Sequence, residues 1–282
     1  MPLTTRYMAA KHLARNAGLL AHEFFAHRHF MFAGHSSAPD FGERSIGTIR
    51  TLLRTKLAAA FPGDAIIDAR VADSGYSALE RAWIIEPISG TENFVRGIPY
   101  YAISMSYLEG DRCEVGVIYD PENDELFHAR RDNGAWCEHA GSETPIDAAH
   151  CEALEGAVIC VDRDERNPDP GDLVVRHELM DVGASVRAFG SQALELAYVA
   201  AGRCDGFVGL HVNLQHLRVG MLLIDEAGGC VASPPPAGGT RRADAPFVVC
   251  APGIARPLTD AANLWFGRRA AEVRSAQIAS PH

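Results

Sequence analysis

Between Trp83 and Phe94 an apolar strand runs into an acid, a proline and a turn whose residues could do chemistry: Glu86, then Ser89, Gly90 and Thr91 beyond Pro87. Ile84 and Ile85 are β-branched and follow an aromatic, which suits a buried strand, and Pro87 predicts the end of its ladder because it has no N–H to donate. A turn at Ser89-Gly90-Thr91 exposes consecutive backbone N–H groups, and such groups bind anions. Glu86 and Ser89 add a proton acceptor and a hydroxyl beside them. The plain alternative is a strand leaving the sheet through a turn. Elsewhere His22-Glu23-Phe24-Phe25-Ala26-His27 resembles a zinc-protease helix, but its second histidine is five places on rather than four and falls on another face.

The run Trp83-Ile84-Ile85-Glu86-Pro87-Ile88-Ser89-Gly90-Thr91-Glu92-Asn93-Phe94 resembles the inositol monophosphatase signature W-x-x-D-P-I-D-G-T-x-N-F. Three further pieces follow in the order and spacing of that family. They are Gly116-Val117-Ile118-Tyr119-Asp120-Pro121 with Glu125-Leu126-Phe127, Gly190-Ser191 with Ala201-Gly202-Arg203, and Glu226-Ala227-Gly228-Gly229. The resemblance covers roughly residues 5 to 270. It implies a layered αβαβα sandwich, a cleft between two halves, a homodimer, and hydrolysis of phosphate monoesters with two or three Mg²⁺ ions that clamp phosphate and activate water.

Carried over position by position, the resemblance also implies where the metal ligands fall. The family's Glu-Glu pair lands on Ala69 and Arg70, its two motif aspartates on Glu86 and Ser89, and its Trp-Asp pair on Gln215 and His216. A supporting aspartate falls near Ile46 and a sugar-binding acid near Gly209. Of these positions only Glu86 keeps a carboxylate, alongside the Ile88 carbonyl and Thr91; a shifted register would bring in Asp68 or Asp73. Mg²⁺ requires several oxygen ligands, so no cofactor is expected, with Mg²⁺ reserved for the shifted alternative.

Four of the replacements, Glu86, Ser89, His216 and Arg70, are groups that can move protons or bind anions. Glu86 and His216 can act as general base and acid near neutral pH, since a carboxylate holds an imidazole and raises its pKa. Ser89 joins them as a catalytic candidate that orients a substrate hydroxyl. Arg70, Gly90, Thr91 and Gln215 are the substrate-binding candidates, Arg70 for a carboxylate or phosphate. The expected function is a metal-independent acid–base enzyme acting on a small polar or anionic metabolite. Its rivals are an Mg²⁺-dependent phosphatase with shifted ligands and a non-catalytic binding or scaffold homologue.

The elements that must position these residues read in two halves. Residues 1–144 predict helices over 5–30 and 43–61, separated by a polar break at 35–40. An antiparallel meander follows, with strands at 65–69, 82–85, 101–108, 113–119 and 125–130. Residues 145–282 alternate: strands at 157–160, 185–189 and 206–209, helices at 173–180, 192–201 and 214–227, then a Pro-Gly loop at 233–239 and a frayed tail at 271–282. With 282 residues, 47% of them hydrophobic, the chain can bury a large core.

A net charge of −10 argues against a nucleic-acid partner, and seven cysteines without C-x-x-C spacing predict free thiols. No long apolar run indicates a membrane span, and Met1-Pro2-Leu3-Thr4-Thr5-Arg6 has no signal-peptide pattern, so a cytoplasmic location is expected.

Overall fold

A computed structural model describes residues 2–33, 38–70, 80–162, 170–210, 212, 214–233 and 246–264. The residues of the polar break at 35–37, Asp73, the Pro-Gly loop beyond residue 233 and the tail at 271–282 lie outside the described residues.

Seven strands form the first sheet in sequential order: β1 (Ala65–Asp68), β2 (Arg81–Ser89), β3 (Ala102–Glu109), β4 (Arg112–Asp120), β5 (Glu125–Arg130), β6 (Ala135–His139) and β7 (Ser142–Pro145). β1 and β2 are parallel, and the rest is an antiparallel meander. Helices α1 (Leu3–Ala33) and α2 (Ala38–Ala60) cover one face through Ala14, Phe41, Ile49 and Leu53, which pack on Trp83, Ile85, Met105 and Val117. α5 (Gln192–Ala200) and α6 (Leu214–Glu226) cover the other, where Leu196, Val219 and Leu222 meet Ile118 and Phe127. Gly116 of β4 permits the close approach: a Cβ there would lie 2.7 Å from Cγ2 of Val219.

α5 and α6 also bury against the second sheet, which orders β11 (Cys230–Ser233), β12 (Phe247–Cys250), β10 (Gly206–Gly209), β8 (Val158–Val161) and β9 (Ser185–Arg187). α4 (Pro170–Asp181) and a helix at 255–264 close its outer face through Val175, Leu179, Leu258 and Ala262. The result is the expected αβαβα layering.

Five details differ from expectation. β1 pairs parallel with β2, where an antiparallel sheet was expected. β2 does not stop at Pro87: one extra residue bulges between the pairs Glu86↔Ser104 and Ser89↔Ala102, so the strand passes a residue that cannot donate and pairs again. α2 begins at Ala38 rather than 43, with Pro39 in the first turn, where a missing N–H costs no helical bond. β6, β7, β11 and β12 were not expected at all, and β9 ends at Arg187 rather than 189.

Candidate active site

Alternation along the first sheet decides what faces what. Ile85, Met105, Val117 and His128 share one register row and look toward α1 and α2. Glu86, Ser104, Ile118 and Phe127 make the next row, which faces the layer of α5 and α6. The first turn of α6 sets His216 against Glu86, with Nδ1 2.7 Å from Oε1 and side-chain exposures of only 18% and 8%. The other carboxylate oxygen, Oε2, is buried and has no hydrogen-bond partner among the described residues.

Burial opposes the imidazolium of His216, but the adjacent Glu86, by charge and hydrogen bond, and then Asp68 outweigh it against the countering charge of Arg70. The net result is a pKa raised above the ordinary value. A raised histidine pKa stabilises the fold below the unfolded value of 6.5 and ceases to do so as pH rises through the folded value. The urea stability of the wild type over His216→Ala is therefore expected to be greatest near pH 6 and to shrink on the alkaline side. A constant or growing difference would show that the imidazolium is not the form held.

Arg70 lies just beyond β1. Its backbone N–H donates to Oδ1 of Asp68 at 2.9 Å, and its Nη2 is 3.9 Å from Glu43. Its Nη1 is buried without a hydrogen-bond partner among the described residues. Asp68 itself is buried and ion-paired with Arg50.

Beyond the bulge, Gly90 adopts φ 86° and ψ 44°, which caps α3 (Thr91–Arg96) and turns the chain back. Thr91 donates its hydroxyl to the Ile88 carbonyl at 3.4 Å. Ser89 is 2% exposed, and its Oγ accepts the Ala193 N–H at 3.3 Å, so it caps α5 from a distant strand while the formal cap, Ser191, makes no side-chain cap bond. Gln215 is buried beside His216 on α6. The structure thus brings Glu86, His216 and Arg70 into one neighbourhood, joined by Asp68, and places Ser89, Gly90 and Thr91 on the turn that follows Glu86.

Two positioning residues escaped the sequence reading. Asn93 donates from Nδ2 to the carbonyls of Tyr100 at 2.9 Å and Phe189 at 2.7 Å, tying the Gly90 turn to the Gly190 loop. Glu195 accepts the N–H groups of Phe189 at 2.7 Å and Gly190 at 3.2 Å. Burial and then Asp162 push its carboxyl up to about 8. An acid inside the apolar run Ala193-Leu194-Glu195-Leu196-Ala197 was the available signal, since a buried acid has to be spent on specific donors.

The chain matches the inositol monophosphatase family over residues 3–264. It belongs to that family. An inositol-1-monophosphatase of Mesorhizobium japonicum is 32% identical over 220 residues, covering 72% of this chain and 81% of the relative. The Nus factor SuhB of Haemophilus influenzae is 34% identical over 151 residues, covering 53% of this chain and 55% of that relative, so the match spans little more than half of the SuhB length. Among solved structures, Mycobacterium tuberculosis SuhB superposes with a TM-score of 0.78 at 26% identity, over 93% of this chain and 97% of the other. The extragenic suppressor protein suhB of Bartonella henselae gives 0.75 at 26% identity, over 93% and 100%.

The inositol monophosphatase family implies Mg²⁺, and the residues at the family's ligand positions do not make a cage for it. Ala69 is an apolar, fully buried side chain, Ser89 is engaged with α5, Arg70 carries positive charge, and Glu86 is bound to His216. Asp68 already answers Arg50. A hard divalent cation wants six oxygens, several of them anionic.

A different group of three ligand atoms within 4.8 Å of one another does exist among the described residues, on His128, Glu138 and Glu143. It faces α1, on the opposite side of the sheet from Glu86. Lys11 bridges both of its carboxylates, at 2.8 Å from Glu143, and Arg15 pairs with Glu138. Burial and then the charge of Lys11 push His128 down to about 3, so its ring is neutral, and the Lys11 ammonium already supplies the cation the acids require.

Proposed function

We propose that this inositol monophosphatase homologue is a metal-independent acid–base enzyme for a small polar or anionic metabolite. The observation that carries the reading is the pair of Glu86 and His216 at 2.7 Å in a buried setting. A carboxylate that engages Nδ1 leaves Nε2 as the exchanging nitrogen and stabilises the imidazolium that forms when it takes a proton. Arg70, with a buried Nη1 and no partner for it among the described residues, suits an anionic substrate group, and the N–H groups at Gly90 and Thr91 suit the same charge from the other side. Ser89 and Gln215 are buried on the elements that carry the pair, and Ser89 steadies them through its hold on α5. The homodimer belongs to the same proposal, and light scattering giving only monomer at micromolar concentration removes it.

Family membership and the name of the Mesorhizobium relative favour a second reading, an Mg²⁺-dependent phosphate monoesterase. Mg²⁺ separates the two. Millimolar Mg²⁺ is expected to raise Tm by less than about 1 °C, because a site with one available carboxylate binds it weakly. Hydrolysis of inositol 1-phosphate is expected to be negligible and unchanged by EDTA. A saturable Tm rise with EDTA-sensitive hydrolysis establishes the phosphatase instead, whereas tight retention of a metabolite with no turnover establishes a binding protein.

A further inference from the structure

Cys160 in β8 and Cys204 in the turn between α5 and β10 are 44 positions apart in the chain, yet their sulfurs lie 3.5 Å from one another. Both residues are buried, at 0% and 3% exposure. A disulfide places its sulfurs about 2.0 Å apart, so roughly 1.5 Å of approach separates this contact from a covalent bond.

The fold imposes the contact from both sides. Cys160 is in register with Phe207 of β10 and Arg187 of β9, so its strand is paired on each edge. The turn is held by the Cys204 N–H on the Tyr198 carbonyl at 3.2 Å and by Asp205, whose N–H donates to the Val158 carbonyl at 2.8 Å. The Asp205 carboxylate in turn accepts the Val158 N–H at 2.8 Å. Val158 precedes Cys160 by two residues on β8, which ties strand and turn together beside the two sulfurs.

The thiols are not equivalent. Cys160 donates its S–H to the Cys204 sulfur, and that bond, against the opposing effect of burial, holds the Cys204 thiol below its ordinary pKa. The same contact, and then burial, pushes Cys160 up. Cys113 and Cys137, buried in the same core, are pushed by burial up to about 12 and about 11. Cys204 also follows the exposed residues Gly202 and Arg203, so opening of a single turn admits a small reagent to it, whereas Cys160 stands inside the sheet.

We propose that Cys160 and Cys204 are a redox-active dithiol, a site of reversible disulfide formation with a hydroperoxide as the oxidant and Cys204 as the first sulfur to react. The Cys204 sulfur attacks an oxygen of the hydroperoxide, the O–O bond breaks, and the thiol proton leaves with the departing oxygen as water or an alcohol, giving a sulfenic acid. The Cys160 sulfur then displaces the sulfenic hydroxyl: the S–S bond forms, the S–O bond breaks, and the Cys160 proton completes a water molecule. The two thiols lose two electrons and the hydroperoxide gains them. The disulfide ties β8 to the end of α5 opposite the one that Ser89 holds. Nothing in this step uses Glu86 or His216, so its failure leaves the acid–base reading untouched.

The test is a disulfide map of the full chain, reduced, freed of reductant, treated with hydrogen peroxide without denaturant, then alkylated in denaturant and digested for mass spectrometry. A peptide pair joined through Cys160 and Cys204 is expected, lost again on treatment with dithiothreitol, while Cys113 and Cys137 remain alkylated. The order of reaction is read with dimedone, which traps sulfenic acids: Cys204 in Cys160→Ser should be labelled roughly 10-fold or more above Cys160 in Cys204→Ser. The wild-type map requires no variant, so a serine that disturbs the core does not remove the test. Peroxide that oxidises the half-buried Cys151 and Cys230 but leaves Cys160 and Cys204 alkylated overturns the proposal, as does Cys160 joined to Cys113 or Cys137 as often as to Cys204. Equal dimedone labelling overturns the role of Cys204 as the first sulfur.

Discussion

Glu86→Gln and His216→Ala are each expected to lower kcat by roughly 10²–10⁴-fold, the usual worth of a positioned acid or base, with the fold retained. The substrate for this measurement is one found by presenting small phosphorylated and carboxylated metabolites to the protein in EDTA. The two substitutions act through different physics. His216→Ala removes the proton carrier outright. Glu86→Gln keeps an acceptor of nearly the same shape at 2.7 Å from Nδ1 but removes the charge that favours the imidazolium. Glu86→Gln should therefore move the pH–rate profile as well as its height: with less charge to hold the proton, His216 titrates at lower pH, and the limb it controls moves toward acid. A purely structural role for Glu86 predicts a change in stability with an unmoved profile. Should both variants keep full activity, the pair is packing and the acid–base reading falls.

How far this site was legible in the sequence follows from what each residue depends on. Glu86 and His216 are 130 positions apart, and no local pattern connects them; motif order alone placed both at positions where the family holds a single ion cluster, and the two side chains do meet. The meander through β5 was readable because hydrophobic runs and Gly- or Asp-containing turns recur at regular intervals. The bulge at Pro87 was not, since it depends on Ser89 finding Ala102 across the sheet after the ladder has been interrupted. β6 and β7 were missed because Trp136-Cys137-Glu138-His139 and Ser142-Glu143-Thr144 carry charged residues on the face toward α1, where they answer Lys11 and His128 rather than water alone. Such a partly covered polar exchange looks like a surface loop in one dimension. The positions that the resemblance assigns to metal ligands could be read by place in the motif, whereas the engagement of Asp68 with Arg50 could not, because it is a tertiary fact.

The second large effect concerns the turn that presents the N–H groups proposed to bind an anion: Gly90→Ala is expected to destabilise the protein by about 2–4 kcal/mol, lowering Tm by roughly 5–10 °C. Two costs combine. At φ 86° and ψ 44° an alanine pays about 1–2 kcal/mol for the left-handed conformation alone. Its Cβ then lies 2.9 Å from the Tyr100 carbonyl oxygen, 3.0 Å from Cβ of Ser191 and 3.2 Å from the Gly190 carbonyl oxygen. Two of those atoms are backbone, and the Tyr100 carbonyl is already fixed by Asn93 at 2.9 Å, so the strain passes into the Gly190 loop and the start of α5. Gly110 supplies the control. It also has positive φ, at 59°, in the β3–β4 hairpin, but a Cβ there meets nothing within 4 Å. Gly110→Ala should thus pay the conformational cost without the clash, and the difference between the two variants in urea unfolding isolates the close approach of the turn to α5. Because Ser89 caps α5 across this same contact, Gly90→Ala should depress activity too, whereas Gly110→Ala should not. Equal losses of stability in the two variants would mean that the turn and the Gly190 loop are free to move apart, and that the N–H groups of the turn are not held in place by the helix behind them.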